Sequence, residues 1–363
     1  MDTKITYLLG AGASYNAIPI VKELNSAFNI IASKVQETNF TVGTNADKND
    51  FEKAKEDFIK LLKEAAQKGE AFGSIDTYAR KLFLKDDSHL AKIKAAITLF
   101  LVTWQEMGNK QELASKLGRE KIFTHIDNRY IGLLSNYLQK GTAISSLLLP
   151  QNVKFISWNY DIQLERAINE FVEYGDIEHI FKDFNVFPSQ KEFSEEQIPD
   201  IVHLNGIAGI YRTKEGIKNI FDRGKTPATH MEVFNRLMFF ITSVSRNQIH
   251  NHEHFTYAWE NDDVSKKALK YSIDIFKETE LLVIIGYSFP TFNDTIDKQL
   301  MNAFLHGKGR MIYYQDPKAS KETLMNRFGI QENRIRIYTD KESMNQFILP
   351  LDKISDDLPI KFV

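Results

Sequence analysis

The chain of 363 residues contains no cysteine. That excludes a disulfide scaffold, a Cys-ligated zinc module, an iron–sulfur cluster and a cysteine nucleophile. Long apolar runs are missing as well. The longest uncharged apolar stretch, Ala95–Trp104, is about half of the ~20 residues that a membrane span needs. Near the N-terminus, Ile5–Leu9 is too short for the core of a signal peptide, and no cleavage site follows it. No sign of charge dominates. Lys plus Arg number 46 and Asp plus Glu 48, for a formal net charge of -2. A polycation that coats nucleic acid or an anionic membrane by charge alone is therefore excluded. Internal repeats and low-complexity segments are absent too. These absences predict a cytoplasmic globular protein with no membrane partner and no direct nucleic-acid partner. At ~150 residues per domain, the length allows about two domains, or one large domain with insertions.

What is present alternates. Ile5–Leu9 reads as a strand, ended by Gly10-Ala11-Gly12-Ala13-Ser14. Pro19 then opens a helix through Val21, Leu24, Phe28 and Ile31, with proline in its first turn. Residues 38–49 are polar and read as a loop. From Phe51 to about Tyr137 the pattern is helical almost throughout, with Ser74 as an N-cap and helices over Leu90–Trp104 and Ile126–Leu138. Strand character returns at Val153–Ser157, Ile201–Leu204, Leu281–Ile285, Arg310–Tyr314 and Arg334–Tyr338. Helical patterns separate these strands at Ile162–Phe171, Ile296–Phe304 and Lys321–Phe328. Leu281–Ile285 is unbroken and apolar, as parallel strands covered on both faces are. The alternation predicts an α/β fold: a Rossmann-like, doubly wound parallel sheet with an inserted helical layer. The expected organisation is one domain over residues 1–363, with the insertion at about 45–140 and the Rossmann-like part at about 1–44 plus 141–363.

Gly10-Ala11-Gly12 after the first strand suits phosphate, because glycine lets a phosphate approach the backbone and a following helix N-terminus offers free N–H groups. A tight turn that binds nothing is the alternative. The dinucleotide fingerprint wants a third glycine at position 15, where this chain has Tyr15. It also wants an acidic residue at a strand end ~20 positions on, and that region reads as helix. The turn therefore does not match that of an ordinary dehydrogenase.

Ser157-Trp158-Asn159-Tyr160-Asp161 stands at the carboxyl end of a predicted strand, where doubly wound sheets bind ligands. His203-Leu204-Asn205-Gly206 follows another. Histidine suits proton transfer near neutral pH. Taken singly, Asn159 reads equally as a capping residue and His203 as a core histidine. Taken in order, G-A-G-A-S, W-N-Y-D, H-L-N-G and Gly286-Tyr287-Ser288 resemble the series G-A-G-x-S, T-Q-N-x-D, His-then-Gly and G-T-S of the sirtuin-like family. The resemblance covers roughly residues 3–35 and 150–340, not the helical insertion. It departs at two points. Sirtuin deacylases carry a four-Cys zinc module, and they continue the phosphate loop with G-I-P-D-F-R. Here that stretch reads Ala17-Ile18-Pro19-Ile20-Val21-Lys22. With both features gone, the chain looks like the divergent bacterial sirtuin-like proteins that hydrolyse NAD+ as effectors of anti-phage defence. Ser74–Tyr78 and Gly286–Phe289 fit that branch.

That resemblance implies an NAD+ glycohydrolase with Asn159 and His203 as the catalytic pair. Asn159 would hold a water or a ribose hydroxyl, and His203 would accept a proton. Asp161 would stabilise charge on the sugar or anchor the nicotinamide amide; capping the next helix is its alternative. Gly10, Ala11, Gly12 and Ser14 would cradle the pyrophosphate, met by Gly286 and Ser288 from the other side. Asp316 would take the adenosine ribose, or serve as a turn residue before Pro317. NAD+ is then a substrate and no metal is needed. A homo-oligomer and a separately encoded regulatory or sensor protein are the expected partners, since unchecked hydrolysis would drain the cell's NAD+. Two rival readings stay open: an NAD-dependent deacylase or ADP-ribosyltransferase, and a non-catalytic NAD or ADP-ribose sensing module. Three further signals are set aside. His250, His252 and His254 lack H-E-x-x-H spacing and a distant third ligand. The run from Glu192 to Glu196 reads as a solvated face, and most of the 26 Phe as core or subunit contacts.

Overall fold

The computed structural model describes residues 3–38, 48–85, 87–107, 110–141, 147–172, 176–189, 193–194, 197–213, 216–221, 229, 232–238, 255–257, 259–307 and 309–350. In chain order the strands are β1 (Ile5–Leu9), β2 (Gln139–Lys140), β3 (Leu147–Leu148), β4 (Val153–Ser157), β5 (Val186–Phe187), β6 (Ile201–His203), β7 (Ile210–Thr213), β8 (Gly216–Asn219), β9 (Leu281–Ile285), β10 (Met311–Gln315) and β11 (Ile335–Tyr338). The helices are α1 (Val21–Glu37), α2 (Lys48–Ala71), α3 (Ile75–Phe83), α4 (His89–Glu106), α5 (Gln111–Lys116), α6 (Asn128–Tyr137), α7 (Gln163–Asn169), α8 (Ile177–Asp183), α9 (232–238), α10 (Asp263–Glu278), α11 (Asp294–Leu305) and α12 (Lys321–Phe328).

Seven strands form one sheet in the order β11-β10-β9-β1-β4-β6-β5. Every pairing in it is parallel. The expected fold class is what is found: a Rossmann-like parallel α/β sheet flanked by helices. Strand order reverses at β1, which pairs with β4 on one side and β9 on the other. Such a reversal opens a crevice beyond the strand ends, because the helices that follow neighbouring strands diverge to opposite faces.

Two apolar clusters cover the two faces, as the alternation of side chains along a strand requires. Ile5, Tyr7 and Leu9 of β1 join Phe155, Val283 and Tyr313 against α1, α2, α4 and α6. Leu8 joins Ile156, Leu282, Ile284, Ile312 and Tyr314 against α10 and α11. Thr6, on that second face, is buried and meets Thr279 hydroxyl to hydroxyl at 2.6 Å. The helical layer between β1 and β4 is built around α4. This helix is buried all round from Ile93 to Glu106, so the apolar run too short for a membrane is its central rod. Its buried charge at Lys94 is partnered: the ammonium donates to both Glu260 carboxylate oxygens at 2.8 and 2.9 Å.

Several boundaries differ from expectation for local reasons. α1 starts at Val21, with Ile20 as its N-cap and Pro19 outside it. The Glu23 carboxylate accepts from the Ile20 N–H at 3.0 Å and fixes that start. α2 begins at Lys48, inside the stretch read as a loop. The edge strand β5, the helix α8 and the β7–β8 hairpin were not foreseen, since each is only a few residues long. Glu192, Glu195, Glu196, His250, His252 and His254 lie outside the described residues. Among the described residues, no helix is long and apolar enough to cross a membrane.

Candidate functional site

Register gathers the site. Leu9 pairs with Ser157 and with Ile285, Ile285 with Gln315, and Ser157 with His203. The carboxyl ends of five strands therefore form one line. The next residues along it are Trp158, Gly10, Gly286 and Asp316, with His203 itself ending β6.

The glycines are explained by contact between two backbones. Gly10 N–H donates to the Ile285 carbonyl at 2.9 Å, and Gly12 N–H to the Gly286 carbonyl at 2.9 Å. A Cβ on Gly286, whose φ is 61°, would lie 2.4 Å from the Ala13 nitrogen. One on Gly12 would lie 2.8 Å from the Gly286 Cα. Glycine is thus demanded by the packing of the first loop on the loop after β9, before any ligand is considered. The expected helix N-terminus behind the turn is not there. Ala11–Ser14 winds into a short 3-10 turn, and α1 follows only from Val21. Ala11 is exposed and Gly12 half-buried, whereas Ser14 is buried.

Asn159, Asp161 and Ser14 meet there. The Asn159 side-chain amide donates to the Gly10 carbonyl at 2.9 Å and lies 3.4 Å from the Ser14 hydroxyl. That hydroxyl donates to Asp161 Oδ1 at 3.1 Å. Asp161 Oδ1 also accepts from the Gln163 N–H at 3.0 Å, capping the start of α7. Burial pushes the Asp161 carboxyl up to about 6, against the pull of these two donors. Its binding and capping readings thus coexist in one side chain.

His203 is 1% exposed. Its Nδ1 is 3.1 Å from the Asn159 main-chain carbonyl, and its Nε2 is 2.7 Å from Glu165 Oε1. Burial alone would push the imidazole down. The Glu165 carboxylate outweighs it, and the ring's proton affinity ends above the ordinary histidine value. Glu165 was missed in the sequence. Nothing local marks it: it stands between Leu164 and Arg166 in the first turn of α7, and its partner lies 38 positions away.

The helical layer holds the loop from outside. Arg129 Nη2 donates to the carbonyls of Gly12 and Ala13, at 3.0 and 3.3 Å. Asp127 orients that guanidinium, its Oδ1 2.9 Å from the Arg129 Nε. The Tyr15 carbonyl accepts from Arg119 at 2.8 Å, that of Asn16 from the Thr124 N–H at 2.9 Å, and that of Ala17 from the Trp104 indole at 3.0 Å. Arg119 also stacks on the Tyr15 ring, 3.9 Å from its centroid, and pairs with Glu23.

Two expected residues stand apart from this group. Ser288 is exposed, while its neighbour Tyr287 turns inward, stacks on Trp158 at 5.5 Å and donates its hydroxyl to Asp297 at 3.0 Å. Asp316, two strands from β1, accepts from the Lys318 N–H at 2.7 Å as a turn residue does. Burial raises its carboxyl above the usual range. Among the described residues, no group of three His, Asp or Glu is placed to hold a metal.

No protein-family model matches the chain, and no curated protein sequence does. Solved sirtuin structures match in outline. A Sir2 bound to acetylated peptide is 12% identical with a TM-score of 0.37, covering 93% of this chain and 87% of that one. Sir2Tm bound to a propionylated peptide is 12% identical with a TM-score of 0.38, over the same shares of the two chains. A complex of Sir2, p53 peptide and NAD+ is 12% identical with a TM-score of 0.34 and covers 93% and 87%. At such scores nothing about the site follows from the likeness, and its geometry stands on its own: this chain is similar in outline to sirtuins.

Proposed function

We propose that this chain cleaves NAD+ to nicotinamide and ADP-ribose. The observation that carries the reading is the meeting of Asn159, Asp161 and Ser14 with the Gly10–Gly12 turn at the point where strand order reverses. Nucleotides bind at that position in doubly wound sheets. An ionisable carboxylate joined to the loop adds chemistry to binding.

In the reaction, the bond between ribose C1′ and the pyridinium nitrogen breaks, and its electron pair goes to nicotinamide. The ribose passes through an oxocarbenium-like state. Water adds to C1′ and loses one proton. An ionised Asp161 stabilises the developing positive charge, or holds the nicotinamide amide. Asn159 and Ser14 fix the loop that carries the phosphates, while Ser288 and Asp316 are proposed on the adenosine side. His203 acts through the Asn159 carbonyl, which it holds in place.

In a cell such an enzyme would drain NAD+. We therefore place it as an NAD-depleting effector of anti-phage defence, held off by assembly or by a separately encoded partner until infection. The deciving test is chemical. Purified protein is incubated with NAD+, with and without an acetylated peptide, and nicotinamide and ADP-ribose are separated by chromatography. Peptide-independent release of both products, lost in Asn159→Ala and His203→Ala, is expected. Release only with the peptide would make the chain a deacylase. NAD+ binding without any release would make it a sensing module, and no binding would sink the reading.

A further inference from the structure

His203 ends β6 in register with Ser157, on the line of strand ends that forms the site. Each of its ring nitrogens faces an oxygen. Nδ1 is 3.1 Å from the main-chain carbonyl of Asn159. A carbonyl can only accept, so this nitrogen carries a proton. Nε2 is 2.7 Å from Oε1 of Glu165, which is wholly buried. With Glu165 as a carboxylate, which only accepts, the second nitrogen carries a proton as well. The remaining carboxylate oxygen, Oε2, is buried without a hydrogen-bond partner among the described residues. All of the hydrogen bonding of Glu165 therefore falls on His203.

The charged groups acting on the ring are Glu165 from α7 and Asp161 from the loop after β4, and both are acids. An imidazole with neither nitrogen open has no lone pair to offer a ribose hydroxyl or a water. Asp161 differs. Its Oδ1 accepts from Ser14 and Gln163, while Oδ2 has no hydrogen bond among the described residues.

We infer that Glu165 is a positioning residue that holds His203 as a doubly protonated imidazolium, and that the site's open proton acceptor is Asp161. The catalytic meaning of this arrangement rests on the NAD+ cleavage reading; the charge state of the ring does not. The imidazolium locks the Asn159 main chain through Nδ1–H, and that lock sets the direction in which the Asn159 side chain reaches Gly10.

The test is a nitrogen NMR titration of the full chain labelled in its histidines. The His203 signal is assigned by its loss in His203→Gln. From pH ~5.5 to ~8, through the range where a free histidine titrates, the wild type is expected to keep protons on both ring nitrogens. In Glu165→Gln the carboxamide donates to Nε2 instead, and at neutral pH only Nδ1 is expected to carry a proton. In that variant kcat for NAD+ cleavage is expected to fall on the order of 10–100-fold, the size of loss seen when a metal-bound histidine loses its orienting partner. The dissociation constant for NAD+ should hold within about twofold, because the loop contacts of Ser14 and Gly10 are untouched. An unprotonated His203 nitrogen in the wild type at neutral pH overturns the inference, and so does a folded Glu165→Gln with unchanged kcat. If that variant does not fold, the wild-type titration decides alone. A wild type with both nitrogens protonated and no NAD+ cleavage overturns the hydrolase reading and leaves the Glu165–His203 pair standing.

Discussion

The side-chain amide of Asn159 donates to the main-chain carbonyl of Gly10 over 2.9 Å, so the residue beyond β4 and the turn beyond β1 move as one unit. Asn159→Asp keeps the shape and removes the donor, setting a carboxylate against a carbonyl. The expected cost is about 1–3 kcal/mol of stability, together with loss of NAD+ binding. Denaturant midpoints and calorimetric titration with NAD+ would show both effects. A variant that binds NAD+ like the wild type would refute the coupling.

Gly286→Ala places a methyl 2.4 Å from the Ala13 nitrogen at a φ of 61°. Backbone strain of this kind costs about 1–3 kcal/mol, and the displaced Gly10–Gly12 turn should lose its nucleotide. Gly132→Ala is the control. It is exposed in α6 with nothing within 4 Å of the new Cβ, and should stabilise by about 0.5–1 kcal/mol. Equal melting temperatures for the two variants would contradict the backbone contact.

Arg129→Lys retains the charge but not the fork that spans Asp127 and the carbonyls of Gly12 and Ala13. NAD+ affinity should weaken about tenfold, or ~1.4 kcal/mol, with the circular dichroism of the sheet unchanged. Binding at wild-type strength would show that the loop does not depend on this arginine.

The Asp161 carboxyl is pushed up to about 6 by burial. If its ionised form supports cleavage, the rate is level above pH ~7 and falls as pH drops through about 6. Asp161→Asn should be slow at every pH. Initial rates between pH ~5 and ~8.5 would test this, and a rate that rises toward acid would exclude the role.

Asp297 is 1% exposed under the Tyr287 hydroxyl, and burial raises its carboxyl to about 8. Its folded pKa lies above its unfolded one. The stability it contributes is therefore greatest below the unfolded pKa and is lost as pH rises toward about 8. Asp297→Asn removes that slope. Melting curves at pH ~5, ~6.5 and ~8 should show the variant gaining on the wild type with each step. A constant difference would mean that Asp297 does not titrate in that window.

The sequence reveals much of the sheet and little of the site's support. β1, β4 and β9 fall at Ile5–Leu9, Val153–Ser157 and Leu281–Ile285, as their apolar runs predict. Strands covered on both faces leave that signature in consecutive residues. Glu165, Asp127 and Arg129 leave none. An acid between Leu164 and Arg166 has meaning only beside His203, and an arginine at the start of α6 only beside the Gly12 carbonyl. Such pairs join distant parts of the chain, so no local pattern holds them. The glycines were legible as a turn. Their reason, the close approach of Gly286, emerges only when β1 and β9 pair.

Between Gly12 and Ala17, every carbonyl except that of Ser14 is met by a donor from residues 104–129. These donors lie 87 to 117 positions along the chain from the carbonyls that they meet. Contacts that distant close late in folding, because the entropy of a long loop is lost before they form. The sheet's own pairings are more distant still, from Ile5 to Val153 and to Leu281, so this stretch takes its final shape no later than the sheet closes. The order of events during refolding should then be visible: with Trp158 and Trp259 replaced by Phe, fluorescence from Trp104, whose indole donates to the Ala17 carbonyl, should change no later than the far-ultraviolet signal of the strands.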